Sequence, residues 1–501
     1  MSTEHISYTE LADMPARQMS MGLALSWHAA RDPHHPALTM NGITLSRLEL
    51  DRAANRLARD LAQRGVGRDD RVAVVLPTGP KHQITCHSLW KLGATVVPLP
   101  ARVVESELGQ LVSAAHPALI IGAELDEYNC LTADFEPDSD LPDGPLPEVV
   151  STQWKASTSG GSTGSPKLIV EDRTSLIHPE QPIPILHMRG TDVLLHPAGA
   201  YHNAAFSQTN WALCWGIHVM LMERFDAREW LRIVQDYKVC WAYLVPTMMS
   251  RILSLPADVR ENADVSTLRI VIHMAAPCPP WVKQAWIDWI GPEAIWEIYA
   301  GTEGYGATMI SGPEWLEHRG SVGKAPPGTE IRNDEGRVLG AGEIGTVWFS
   351  PPVGNPFGHS LEYHTYGDVG SIDENGYLYL ADRRTDLILT GGVNVYPAEI
   401  ESVLEQAPGV VTAAVIGLPD PDLGAVAHAI LELEPGLPTP TSSDLTTFVR
   451  TRLSPGKVPF TYEVVSESLR DEAGKLRRSR LRDERLATDR HTYLKLLPGT
   501  C

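Results

Sequence analysis

The sequence predicts an α/β protein: a large N-terminal domain of layered, mostly parallel sheets with helices, followed by a small α+β C-terminal domain. Three observations carry this. Short apolar, β-branched runs alternate with amphipathic stretches over the first three quarters of the chain, the pattern of doubly wound layers. A length of 501 residues exceeds what one compact core serves. Beyond about residue 385 the texture changes, leaving a C-terminal piece of roughly a hundred residues, a usual domain size.

The elements follow in order. Arg71 to Leu76 (RVAVVL) reads as a buried strand, Lys81 to Leu92 as a helix with Ile84, Leu89 and Leu92 on one face, and Ala94 to Leu99 as the next strand. Asp126 to Val149, rich in Asp, Glu and Pro, reads as a surface excursion. Strands return at Asp192–Leu195, Cys240–Val245, Leu268–Ile272 and Ile295–Tyr299, with the helix PPWVKQAWIDWI between the last two. In GSIDENGYLYLADRRTD the pair Asn375-Gly376 supplies the tight turn of a hairpin. Pro397 opens a helix to Gln406; Gly409–Leu418 is a strand and Ser443–Leu453 a helix. The expected domains are 1–384 and 385–501, with the boundary at Thr385.

A formal net charge of -20 argues against a nucleic-acid-binding or anionic-membrane surface. Six cysteines lie scattered with neither CxxC pairs nor metal spacing, as reduced thiols of a cytoplasmic protein would. The N-terminus lacks the pattern of a signal peptide, and no stretch is apolar for long enough to span a bilayer.

The chemistry concentrates in a few motifs. In STSGGSTGSPK, Gly160, Gly161 and Gly164 let the backbone approach an anion, while Ser159, Ser162, Thr163 and Lys167 supply donors. The loop lacks the Gly-Lys-Ser/Thr ending of a P-loop. The plainer alternative, a flexible linker after the acidic excursion, is the weaker one even for the loop alone. YAGTEG (Tyr299, Ala300, Gly301, Thr302, Glu303, Gly304) follows a strand, at the carboxyl edge where open α/β sheets bind ligands. There Glu303 is a hard oxygen ligand suited to Mg²⁺ and Thr302 a hydroxyl for a phosphate. YHTYGDVG holds Asp368, and DEAGKLRRSRLRD holds Lys475. Taken singly, Asp368 is a turn residue and Lys475 one cation of a solvated, Arg-rich helix.

In this order and at these distances the motifs resemble the adenylate-forming superfamily of acyl-CoA synthetases, luciferases and peptide-synthetase adenylation domains, over nearly the whole chain. HMAAPCPP (His273 to Pro280) narrows the likeness to ligases of fatty, steroid or similar acids. The resemblance implies activation of a bulky hydrophobic carboxylic acid with ATP and Mg²⁺ to acyl-AMP, then transfer to CoA. It implies that the Gly-rich loop holds the departing phosphates, that Ala275, Ala276 and Pro277 border the adenine, and that Asp368 and Arg383 meet the ribose. Lys475 becomes the catalytic lysine that relieves repulsion between carboxylate and α-phosphate. Thr390, Gly391 and Gly392 line the pantetheine tunnel in the second half-reaction, after rotation about the hinge. His202 in YHNAAF gates between acyl pocket and tunnel, with His202, Asn203, Cys214, Met249 and Ala300 as pocket candidates. Arg477, Arg478 and Arg480 face solvent or meet the CoA phosphates.

Three positions depart from the family pattern: Gly160, Tyr366 in place of Thr or Ser, and Thr385 at the hinge. They keep open an enzyme that only transfers a ready-made acyl adenylate to CoA, and a non-catalytic binding protein on the same scaffold. Against an amino-acid adenylation domain stands the lack of an Asp in Tyr201 to Phe206; a luciferase-like oxidase is a further rival. The expected partners are the acid and CoA, with a homodimer as one option for assembly.

Overall fold

The computed structural model describes residues 6–102, 105–159, 167–171, 173–197, 199–350, 362–383, 386–390, 393–420, 423–471 and 474–487. Its centre is an eight-stranded sheet in the order Ala307–Ser311, Ile295–Ala300, Ile270–His273, Trp241–Leu244, Val193–His196, His218–Leu221, Pro36–Met40, Ile43–Ser46. The six inner strands are parallel and the two edge strands antiparallel. Parallel strands buried on both faces need continuous apolar runs, which is what the sequence supplies. A second, four-stranded parallel sheet runs Thr95–Pro98, Arg71–Val74, Leu119–Ile121, Cys130–Leu131.

One apolar core fills the space between these sheets, joining Leu50, Leu57, Trp90, Phe206, Trp241 and Trp286. Within it lies an ionic knot. Lys91 Nζ donates to Asp51 Oδ1 at 2.6 Å, to Ser26 Oγ at 2.8 Å and to the Gly22 carbonyl at 3.0 Å, and Tyr8 donates to Asp51 Oδ2 at 2.7 Å. Every partner is satisfied, which is the condition for burying charge. The knot fixes helices Tyr8–Asp13, Met21–Arg31, Arg47–Gln63 and Pro80–Lys91 to one another. The second and third of these turns start at serines 20 and 46; Ser46 with Glu49 forms a full capping box.

The acidic excursion is held by arginines rather than loose. Arg56 meets Asp143 at 3.2 Å, Arg59 donates to the Gly144 carbonyl at 2.8 Å, and Arg17 pairs with Glu148 at 2.7 Å. The Asn375-Gly376 turn joins strands Asp368–Ile372 and Tyr377–Arg383 of a five-stranded antiparallel sheet, Gly376 taking φ 84°.

The C-terminal lobe has its own core of Ile388, Val395, Ile400, Leu404, Val415, Leu431 and Val449. Helix Pro397–Leu404, strand Val410–Asp420 and helix Ser442–Arg450 lie where the sequence places them. The long strand Gly424–Leu433, centre of this sheet, had no expectation attached. Thr385 lies outside the described residues. Among those described, no helix is long and apolar enough to cross a membrane.

Candidate active site

The site assembles where the inner strands end at their carboxyl edge. Strand Ile295–Ala300 delivers Tyr299, and its hydroxyl donates to Asp368 Oδ2 at 2.5 Å, so the two motifs YAGTEG and YGDVG meet. Beyond the strand the chain turns tightly: Gly304 N–H donates to the Gly301 carbonyl at 3.1 Å, with Gly304 at φ 71°. Thr302 and Glu303 form this turn. Burial raises the phenols of Tyr305 and Tyr366, and the nearby Glu303 carboxylate adds to it.

Tyr366 explains itself structurally. Its ring lies against Gly301, where an added Cβ would come within 2.1 Å of it. Its hydroxyl donates to the Gly306 carbonyl at 2.9 Å and accepts from Gly306 N–H at 3.1 Å. Burial pushes the phenol up to about 12. Tyr305 stacks between Tyr366 and His364, with centroid separations of 5.2 and 4.6 Å. The larger residue thus occupies room left by Gly301 and bonds the Gly306 backbone, and Asp368 keeps its contact with Tyr299.

Strand Ile270–His273 leads into Ala275, which is exposed and sits at φ 76°. A non-glycine residue in that region is strained, and such strain clusters at ligand sites. Pro277 beside it is exposed as well, and Ala276 partly so. Behind them Lys283 and Glu297 pair at 2.7 Å, with His273 buried alongside.

Helix Asn203–Cys214 covers one face of the sheet, and His202 is its N-cap residue. His202 Nε2 is buried and has no hydrogen-bond partner. Burial pushes this imidazole down to about 4; Asp471 raises it, while Lys475 and Arg477 lower it further. The C-terminal lobe therefore stands close to the gate candidate.

How the lobe reaches there is visible at Gly474. It takes φ 73°, and a Cβ on it would lie 2.6 Å from Thr247 Oγ1 and 2.8 Å from Val245 Cγ2, at the end of strand Trp241–Leu244. Only glycine satisfies both demands. Lys475 N–H donates to Asp471 Oδ1 at 3.0 Å, and Asp471 N–H to the Lys475 carbonyl at 3.1 Å, closing a short turn. Arg470 steadies it, donating to the Gly474 carbonyl at 3.1 Å and to Glu405 at 3.0 Å.

Several expected site residues lie elsewhere or beyond view. Cys214 is wholly buried eleven residues along its helix from Asn203, its sulfur at 3.6 Å from the Met21 carbonyl. Met249 is wholly buried beneath Trp286, which donates to its carbonyl at 3.2 Å. Both side chains are wholly buried. Asn203 is engaged by Lys155. Ala300 is exposed at the strand end. Arg478 is structural, pairing with Asp386 at 2.8 Å and Glu401 at 2.6 Å, whereas Arg477 and Arg480 are exposed. Gly160, Gly161, Ser162, Thr163, Gly164, Gly391 and Gly392 lie outside the described residues, as do the side chains of Ser159, Lys167 and Arg383. Strands Ala156–Ser159 and Lys167–Val170, on either side of the Gly-rich segment, pair antiparallel. Thr390 ends strand Ile388–Thr390, with its hydroxyl buried.

Glu303 fits a hard divalent cation. Among the described residues no group of three or more His, Cys, Asp or Glu side chains is arranged as a metal cage. A single carboxylate suits Mg²⁺, which keeps waters and phosphate oxygens as its other ligands.

Comparison with known proteins agrees with this geometry. Over 91% of its length the chain is 29% identical to a fatty acid–[acyl-carrier-protein] ligase of Streptomyces coeruleorubidus, 95% of which is covered. It is 27% identical to a long-chain-fatty-acid–CoA ligase of Mycobacterium tuberculosis, over 89% of this chain and 94% of that one. The fold matches o-succinylbenzoate CoA synthetase of Bacillus subtilis in complex with its acyl-adenylate, with a TM-score of 0.77 at 23% identity, covering 93% and 99% of the two chains. It also matches an amide bond synthetase of Marinactinospora thermotolerans, with a TM-score of 0.75 at 23% identity and the same coverage. Residues 25–354 match the AMP-binding enzyme family and residues 399–475 its C-terminal domain, so the chain belongs to the AMP-binding, adenylate-forming enzymes.

Proposed function

We propose that the protein is an acyl-CoA ligase: it joins ATP and a bulky, mainly hydrophobic carboxylic acid into acyl-AMP with release of pyrophosphate, then passes the acyl group to CoA. The observation that supports this reading is the docking of Gly474 against Val245 and Thr247, close enough for the charge of the adjoining Lys475 to act on His202.

Lys475 brings an ammonium to the place where a carboxylate must approach a phosphate. Offsetting like-charge repulsion in a site shielded from water is an electrostatic contribution to the rate. Asp368, already hydrogen-bonded by Tyr299, has its carboxylate positioned to accept ribose hydroxyls. Thr302 orients the α-phosphate from the turn beyond the strand. Glu303 would hold Mg²⁺, which supplies charge neutralisation on the phosphates. His202, neutral at physiological pH because it is buried, screens the acyl pocket without adding charge. The hinge at Thr385 lets the lobe exchange Lys475 for Gly391-Gly392, so that one site serves both half-reactions.

Tyr366 bears on the transfer-only alternative. Because Gly301 and Gly306 accommodate it, its presence leaves the Asp368 contact in place, which favours retained adenylation. The test is a panel of fatty, aryl, steroid and terpenoid acids, reading pyrophosphate and acyl-CoA separately. CoA and an acyl-carrier protein serve as rival acceptors. Release of pyrophosphate with a bulky apolar acid and capture by CoA is the expected result. Transfer from supplied acyl-AMP without any pyrophosphate release would replace this reading with the transfer-only one.

A further inference from the structure

Lys155 stands one residue before strand Ala156–Ser159, and Glu171 one residue after strand Lys167–Val170. Ala156 faces Val170, so the two charges close the base of the phosphate-loop hairpin, Nζ to Oε2 at 3.3 Å. The ammonium is 4% exposed. It does not stop at its own hairpin. It also donates to Asn203 Oδ1 and, at 2.8 Å, to Ser207 Oγ, on the first two turns of the helix that His202 caps. Ser157 Oγ donates to the same Asn203 oxygen at 3.4 Å. Trp154 lies under the ammonium at 4.8 Å and stacks on Trp211 of that helix at 5.4 Å.

An ammonium has three N–H donors, and here three acceptors on two separate elements take them. Burying it is costly: burial lowers its affinity for the proton and Glu171 restores part of it. An apolar side chain of like volume would pack at least as stably. What the charge adds is register, since only one placement of helix against hairpin serves all three bonds. Neither Lys155 nor Glu171 belongs to the reacting groups described above.

We infer that Lys155 is a positioning residue that locks the phosphate-loop hairpin and the gate helix into one unit, so that the ATP side and the acyl side of the site move together. The ligase reading says what the two ends do; the lock itself does not depend on it. Asn203 is accordingly half of that lock rather than a group that reads the acid.

The experiment replaces Asn203, which lies on the acyl side, and reads the ATP side. In Asn203→Leu, hydrogen exchange of the peptides covering 156–159 and 167–170 should rise by about tenfold, as should KM for ATP in pyrophosphate exchange, on losing a hydrogen bond to a charged group. Asn203→Asp, which keeps an acceptor for the ammonium, should stay near the parent in both. The charge-free pair Lys155→Met with Glu171→Gln should fold, keep its melting temperature within a few degrees, and show the same loss on the ATP side. Unchanged exchange in the hairpin with Asn203→Leu, or a uniform rise across the whole N-terminal domain, would overturn the lock. Absence of pyrophosphate exchange in the parent protein with every acid would instead overturn the ligase reading, while hydrogen exchange would still decide the lock.

Discussion

Gly301 and Tyr366 share a space that admits no further atom: a methyl group at 301 would sit 2.1 Å from the Tyr366 ring. The glycine of one motif is thus the condition for the tyrosine of another, sixty-five residues later. Gly301→Ala should push that ring away from Gly306 and cost about 1–3 kcal/mol of stability, the usual range for overpacking. Pyrophosphate exchange should fall at least about tenfold as the YAGTEG turn shifts. Adding Tyr366→Ser should recover both melting temperature and activity; no recovery would show that the turn, not the ring, sets the limit.

Lys475→Ala should abolish acyl-AMP formation and largely spare CoA transfer from supplied acyl-AMP. Gly474→Ala should produce the same split with the ammonium still present, because its Cβ would meet Thr247 and Val245 before the loop docks. Single-turnover assays of each half-reaction on one preparation measure this. Equal loss of both steps in a folded protein would contradict it.

Thr385→Pro fixes φ near about -65° and should trap one orientation of the lobes. One half-reaction should then survive and the other fail by at least about tenfold. Survival of both would move the hinge elsewhere or remove the need for rotation.

Acid should unfold the N-terminal domain early. His82, His87, His196 and His273 are buried, and burial pushes them down to about 4, 3, 3 and 4. Unfolded, each titrates near about 6.5. Between these values the unfolded chain binds protons that the native one refuses, so stability is intact above about pH 6.5 and falls as pH drops toward 4. Each histidine contributes up to about 1.4 kcal/mol per pH unit in that window. Denaturant midpoints measured from pH 7.5 to 4.5 should decline chiefly below 6.5. His196→Gln, which can still bond Gln208, should make the decline shallower.

The inner strands were legible because burial on both faces forces unbroken apolar runs, and runs such as Trp241–Leu244 stand out. The motifs of Tyr299 and Asp368 were legible as a pair that the fold brings together, at 2.5 Å. Cys214 and Met249 are harder to assign for the opposite reason: apolar residues near a motif are as often core as pocket, and the sequence does not separate the two. Lys155 was missed because one lysine between Trp154 and Ala156 carries no periodic signal. Its partners, Glu171, Asn203 and Ser207, converge only in three dimensions. Strand Gly424–Leu433 escaped because its alanines alternate weakly.

The seat of Gly474 on Val245 and Thr247 is a backbone laid against two side chains, with nothing interlocked. Such a contact works as a mechanical stop does: the missing Cβ fixes how near the two surfaces come. A bulkier residue there would hold the lobe off its mark; a stickier one would delay its departure and leave product waiting on a slow parting of surfaces. The bare α-carbon beside the lysine thereby sets how near the lobe can come to the end of strand Trp241–Leu244.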